Sequence, residues 1–313
     1  MPEAPKSRRD RLEWPTWMLV LAIHGAWWGL VLCYSRMPVW LAHGLLIIVI
    51  AWYMSLQHEL LHGHPTRWSG FNRLLGLLPL AVWYPYDVYR DSHLAHHRDE
   101  WLTVPGVDPE SNYVTADAYR AMPPWRQALQ RALRTVAGRL VVGPLLAVAG
   151  TWTEGLALLR RDPSAWSRAW GQHLLLLVVL LVLLQQVAGI SPAHYLLGMA
   201  YPALALAMLR SVYEHRPAEA VPHRIVINEA SWPWRLLFLN NNYHLVHHDQ
   251  PGLPWYRIPA VYRAQRAEWL ARCGGFHLQG YGSLVRQHGL RPIDSPVHPA
   301  DMRPARPPEP ASR

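Results

Sequence analysis

The sequence predicts an all-α integral membrane protein, with four transmembrane helices and a cytoplasmic helical cap holding a histidine-rich metal site. Three observations predict it. Four stretches are long, apolar and almost free of charge. Eight histidines fall into three tight clusters beside or between apolar stretches. The formal net charge of +9 is almost entirely arginine, since Lys6 is the only lysine, and the arginines gather at the ends of the apolar stretches. The mean hydropathy of −0.03 conceals this division into very apolar and very basic blocks.

The chain divides into a polar N-terminal segment (1–14), a membrane domain (15–290) and a Pro/Arg-rich tail (291–313). Spans are expected over about 15–34, 37–57, 171–190 and 194–210, each near the roughly 20 residues that cross a hydrocarbon core of about 30 Å. The first is too long and too aromatic for a signal-peptide core and has no small-residue cleavage site, so it reads as a retained helix. Ser35-Arg36-Met37-Pro38 and Gly189-Ile190-Ser191-Pro192 are the turns of two hairpins. Trp17, Trp27, Trp28, Trp40 and Trp52 include interfacial anchors. The run Leu174 to Leu184 is nearly pure Leu and Val, whereas the fourth span contains Pro202, which a membrane helix tolerates when neighbours re-satisfy its backbone. Leu74–Trp83 and Leu140–Ala149 are apolar but too short to cross, and are expected as interfacial or re-entrant helices. The tail, with Arg303-Pro304-Ala305-Arg306-Pro307-Pro308, reads as disordered by composition.

Charge sets an orientation. Lys6, Arg8, Arg9 and Arg11 precede the first span, and Arg160, Arg161 and Arg168 precede the third; the two opposite turns carry only Arg36. The positive-inside rule then places both termini, the long loop 58–170 and all three histidine clusters in the cytoplasm. Basic residues next to apolar spans suit lipid headgroups or an acidic protein partner, and argue against nucleic acid. The two cysteines, Cys33 and Cys273, form no CxxC pair, which argues against a zinc knuckle or an iron–sulfur cluster.

The clusters carry the chemistry. His58 and His62 are four residues apart and share a helical face at the end of the second span. His93, His96 and His97 stand at i, i+3 and i+4, and His244, His247 and His248 repeat that spacing. Imidazole binds iron, zinc, copper or nickel, and this many nitrogens can hold more than one ion with positions left open for oxygen. A ligating imidazole usually gives its other N–H to a carboxylate or carbonyl, and Glu59, Asp91, Glu214 and Asp249 are the acids expected to take that part. His64 reads as structural, and His24 and His43, inside spans, as interhelical hydrogen-bonders. A soluble di-iron carboxylate bundle would show repeated Glu-x-x-His pairs, which are absent.

As a set, the HxxxH box at His58/His62 and the HxxHH boxes at His93/His96/His97 and His244/His247/His248 resemble the membrane-bound fatty acid desaturase superfamily, which includes lipid hydroxylases and carotenoid ketolases. The resemblance covers roughly residues 15–270. Leu102 to Ser111, Asn240-Asn241-Asn242-Tyr243-His244 and Pro251 to Pro259 resemble bacterial members, the last run also carotenoid ketolases, and Asn240 is carried over as a further supporting residue. The resemblance implies a ninth ligand at His215, after the fourth span; Ser211 stands where acyl-CoA desaturases place an Asn that holds a metal-bound water. It implies two irons, O2 as co-substrate, a long-chain lipid substrate and a bacterial inner-membrane location. The activity it implies is that of a fatty acyl desaturase, with hydroxylation, carotenoid ketolation and terminal-alkene-forming decarboxylation as alternatives. The chain has no GxGxxG, no CxxC and no haem-binding extension, so electrons are expected from a separate ferredoxin, rubredoxin or cytochrome. A non-enzymatic alternative, a membrane metal-binding or transport protein, would want its ligands near the bilayer midplane rather than at span ends.

Overall fold

The computed structural model describes residues 12–299. The basic N-terminal residues Lys6 to Arg11 and the tail from 300 onward lie outside the described residues. Among the described residues, four helices are long and apolar enough to cross a membrane: Trp14–Leu32, Val39–Leu61, Pro163–Ala188 and Pro192–Ser211. The second runs four residues further than its apolar stretch suggests, so His58 and Glu59 lie on the helix and His62 is its C-cap. The third starts earlier than expected, at Pro163, and passes through a π turn at Ser167–Gly171. A π turn at Leu196–Ala200 precedes Pro202 in the fourth span. Proline offers no N–H and its ring crowds the carbonyl four residues back, and a widened turn accommodates both.

The spans meet in one cluster that includes Ile23, Trp27, Leu46, Ile50, Leu184 and Met199. Lipid tails are as apolar as leucine, so close packing and interhelical hydrogen bonds hold such a bundle together. Trp27 Nε1 donates to the Tyr195 hydroxyl at 3.2 Å, tying the first span to the fourth. His24 and His43 keep local partners, the Val20 carbonyl and the Tyr34 hydroxyl respectively.

The stretch Leu74–Trp83 differs from expectation. Helix Ser69–Gly76 ends there, and the chain continues without regular structure, with Leu80, Ala81 and Val82 buried among the spans. Irregular backbone at such a place needs side chains to satisfy its carbonyls. The spans supply them. Tyr53 Oη reaches the Gly76 and Leu78 carbonyls, Tyr195 Oη donates to Leu80 O at 2.9 Å, and His173 Nε2 donates to Val82 O at 2.9 Å. His173 is therefore a backbone anchor. Tyr195→Phe strands both Leu80 O and Trp27 Nε1, and is expected to cost about 1–3 kcal/mol, read as a lower midpoint of thermal unfolding in detergent.

Leu140–Ala149 is likewise no separate short helix; most of it forms the start of helix Gly143–Arg161. Beyond the second and fourth spans lies a cap with its own core, built around Leu102, Ile227, Tyr243, Val246, Tyr262 and Trp269. A two-residue parallel pairing, Ile227–Asn228 with His277–Leu278, ties its segments together. Residues 291–299, expected as part of the tail, make cap contacts. Val297 pairs with Val114, Asp294 accepts from Arg134 and Tyr113, and His298 is buried. Residues 291–299 are thus part of the folded cap.

Candidate metal centre

Local sequence explains how each histidine is presented. His58 leaves the second span one turn before its end, where the helix crosses from the bundle into the cap. Helix Tyr86–His96 presents His93 and His96, and His97 caps it. Helix His244–Asp249 is short and sits deep in the cap: Leu245 and Val246 enter the cap core while the three histidines occupy the rest of its surface. Its entry is fixed by asparagines. Leu239 and Asn240 take left-handed φ values of 48° and 58°, a reversal that Asn tolerates at small cost. Asn242 Nδ2 then donates to Asn228 O at 2.6 Å, and Leu245 N to Val226 O at 3.1 Å.

The nine histidines come together as two adjoining groups. His58, His62, His93, His97 and His247 form one; His96, His215, His244 and His248 form the other. Within each group the nearest ligand atoms lie within 4.8 Å of one another. Each HxxHH box is split. The i, i+4 pair His93/His97 joins the first group and His96 the second; the pair His244/His248 joins the second group and His247 the first. Both HxxxH histidines go to the first group, leaving the second short, and His215 makes its fourth member. The His97 and His248 rings stack across the boundary at 4.3 Å between centroids.

The ring nitrogens show what the groups can hold. His96 Nδ1 donates to Asp108 Oδ1 at 2.8 Å, and His244 Nδ1 to Asn241 Oδ1 at 2.9 Å. With the proton on Nδ1, each Nε2 presents a lone pair, and both face His215 Nε2 at 3.0 Å. His248 Nε2 stands 3.2 Å from His244 Nε2. In the first group His97 Nε2 lies 3.0 Å from His93 Nε2 and 3.2 Å from His247 Nε2, while His62 Nε2 is buried without a hydrogen-bond partner. Ring nitrogens that converge on one another, with His62 Nε2 left unpartnered among them, suit a cation, and an all-imidazole donor set fits iron, zinc, copper or nickel. Burial, foremost, holds His215, His244, His247 and His248 well below the usual histidine range, in the neutral form that ligates. His96 differs: burial opposes its charge, but Glu110, Asp108 and Glu214 outweigh it and push it up to about 9, so a cation bound there displaces the Nε2 proton.

Of the expected supporting acids, Glu214 stands beside a ligand ring and the others do not. Asp91 pairs with Arg90 and Asp249 with Arg272, both towards solvent. Glu59 turns away from the rings to accept from Trp255 N at 3.1 Å. Asn240 bonds Arg235 and the Trp255 carbonyl, and its neighbour Asn241 touches His58 and His244. Glu214 is paired with Arg210 at 2.8 Å and stands 3.7 Å from His244 Nδ1. Direct support comes from Asp108 and from Glu110, which accepts from His93 Nδ1 at 3.0 Å. Burial favours the neutral Glu110, yet the His96 and His93 rings hold it well below the usual carboxylate range. Asp108 also takes the backbone N–H of Thr103 and Glu110, which shapes the loop that carries both acids. Sequence spacing gave no sign of this pairing, although both acids lie in the 102–111 run that resembles bacterial desaturases. His64, as expected, is structural in its contacts, pairing with Glu13 at 2.8 Å.

A cavity of about 540 Å³ opens beside the groups and is lined by His58, His215, Glu110 and Glu214 together with apolar residues of the second and fourth spans. That volume lies in the range of small-molecule sites, about 300–1,000 Å³.

A comparison with curated proteins found no match. A family model described as fatty acid desaturase matches residues 35–279, from the first hairpin turn to beyond the third histidine box. With four apolar helices, a helical cap and nine histidines gathered at the ends of the second and fourth spans, the chain belongs to the fatty acid desaturase family.

Proposed function

We propose that the protein is a membrane di-iron oxidoreductase that uses O2 and two external electrons to desaturate a long-chain lipid, with a fatty acyl chain as substrate. The observation that carries this reading is the convergence of the two histidine groups beside a cavity walled by the spans. His58, His62, His93, His97 and His247 hold one iron, and His96, His215, His244 and His248 the other. When bound, the irons supply O2 activation and removal of hydrogen from an unactivated C–H bond. The chain's own part is positional. Asp108, Glu110 and Asn241 set the tautomers and directions of His96, His93 and His244, which fixes where the lone pairs meet. The cavity holds the chain against that point, and its geometry selects among desaturation, hydroxylation and decarboxylation.

Overall balance requires one O2, two electrons and two protons to convert a CH2–CH2 unit into an alkene and two waters. The electrons come from a separate ferredoxin, rubredoxin or cytochrome. Arginines flanking the spans support a cytoplasmic cap, and the runs 102–111 and 240–244, which resemble bacterial members, support a bacterial inner-membrane location. The test is metal analysis of the purified protein together with mass spectrometry of lipids from expressing cells. About two irons per chain and lipids lighter by two hydrogens are expected. Lipids heavier by one oxygen would replace desaturation with hydroxylation, and reversible zinc transport without O2 consumption would overturn the enzymatic reading.

A further inference from the structure

The cavity beside the histidines has a polar end that the reaction itself leaves unexplained. It adjoins a second cavity of about 290 Å³, and the two share Asn112, Tyr113, Arg134 and Arg139 in their walls. The three arginines lining the main cavity are not equivalent. Arg210 is neutralised by Glu214 at 2.8 Å. Arg134 is held by Asp294, with Nε to Oδ1 at 2.6 Å, and donates to the Tyr113 hydroxyl at 2.9 Å. Arg139 has an amide rather than a carboxylate as its partner: Nη1 donates to Asn112 Oδ1 at 2.5 Å, and Nε is buried with no hydrogen-bond partner.

The placement of Arg139 is specific. Its aliphatic stem lies over Gly143 at the start of helix Gly143–Arg161; a Cβ there would meet Arg139 Cδ at 3.2 Å and Met208 Sδ at 3.4 Å. The missing side chain gives the arginine its passage. Burial, and then the neighbouring Arg134, push the guanidinium down to about 10 against the pull of the Glu214 carboxylate, which is already paired with Arg210, so it is cationic at neutral pH. A partly buried cation with an unused donor is costly unless an anion completes it, and the planar guanidinium suits carboxylate and phosphate oxygens alike. Besides this pole the wall includes Leu146, Ala147 and Gly150 on one side and Met54, Leu204 and Ala207 on the other, interrupted by Thr151 and Glu154, and it includes His58 and His215.

We propose that Arg139 receives the anionic head of the substrate, a carboxylate or a phosphate ester, while the acyl chain lies between helix Gly143–Arg161 and the spans with its reacting carbons beside the histidines. This rests on the lipid-oxidising function proposed above and adds the substrate's charge and the residue that reads it. Neutral lipids of the same chain length lack the group that completes Arg139.

Equilibrium binding of three radiolabelled probes to the full-length protein in detergent tests it: palmitate, palmitoyl lysophosphatidate and methyl palmitate. Arg139→Gln is expected to weaken at least one anionic probe by about tenfold or more while leaving methyl palmitate within about twofold; Arg139→Lys is expected to recover much of the loss. Whichever anion binds tighter identifies the head group. Equal weakening of all three probes would show that Arg139 only packs over Gly143, and wild-type affinity for methyl palmitate equal to that for both anionic probes would remove the anion site; either result overturns the proposal. Iron content of the same preparations reports on the underlying function separately. Iron-loaded protein that ignores the head group sinks only the role of Arg139, and protein that binds neither iron nor any probe sinks both.

Discussion

Alanine at His215 is expected to lower the bound iron from about two to about one per chain and to abolish turnover. The second group has four histidines where the first has five, and His215 Nε2 faces two of the other three, His96 and His244, at 3.0 Å each. Its removal leaves three imidazoles and separates them at their centre. His62→Ala removes one of five from the first group and is expected to cost less metal. Metal analysis of the two variants beside the wild type checks this directly. Full retention of both irons by the His215 variant would exclude it as a ligand and would leave the carry-over from the family without support at that position.

Replacing Asp108 by asparagine is expected to weaken metal binding by about 10–100-fold, the usual cost of losing the partner that orients a ligating imidazole. One oxygen of Asp108 accepts from His96 Nδ1 and Glu110 N, and the other from Thr103 N. An asparagine has a single acceptor oxygen, so its amide must turn a donor towards another donor on one side. Either the His96 tautomer or the loop that presents Glu110 is lost. Asp91→Asn and Asp249→Asn are the controls, since those carboxylates pair with surface arginines, and their metal affinity is expected to match wild type. Competition with a chromogenic chelator measures all three. A uniform effect across the three variants would mean that net charge, rather than the orientation of His96, governs affinity.

These two experiments also separate what was legible in the sequence from what was not. The spacing His93-x-x-His96-His97 guarantees one helical face, because helical geometry is local and repeats every 3.6 residues. The four spans are legible for a similar reason, since about 20 apolar residues in a row have few other uses. Family likeness carried His215, which no spacing rule would have singled out. Apart from Glu214, the supporting acids were not legible. Glu59 and Asp249 are next to histidines in sequence and Asp91 is two positions from one, but on a helix residues one or two apart do not share a face. Asp108 reaches His96 through a loop twelve positions away, and Asn241 reaches His58 across 183. The stretch Leu74–Trp83 reads as a short helix because burial makes any segment apolar; beyond Gly76, Tyr53, Tyr195 and His173, supplied from distant parts of the chain, let it dispense with helical hydrogen bonds.

By itself the sequence determined an all-α membrane protein of this family with its histidine boxes at the ends of spans, because periodicity and apolar length act within a single segment. Only the tertiary structure decided how nine imidazoles divide into five and four, which acids hold them, and that Arg139 stands at the far end of the cavity with a donor to spare. Those are meetings between segments, and their distances are set by how the cap folds over the span ends.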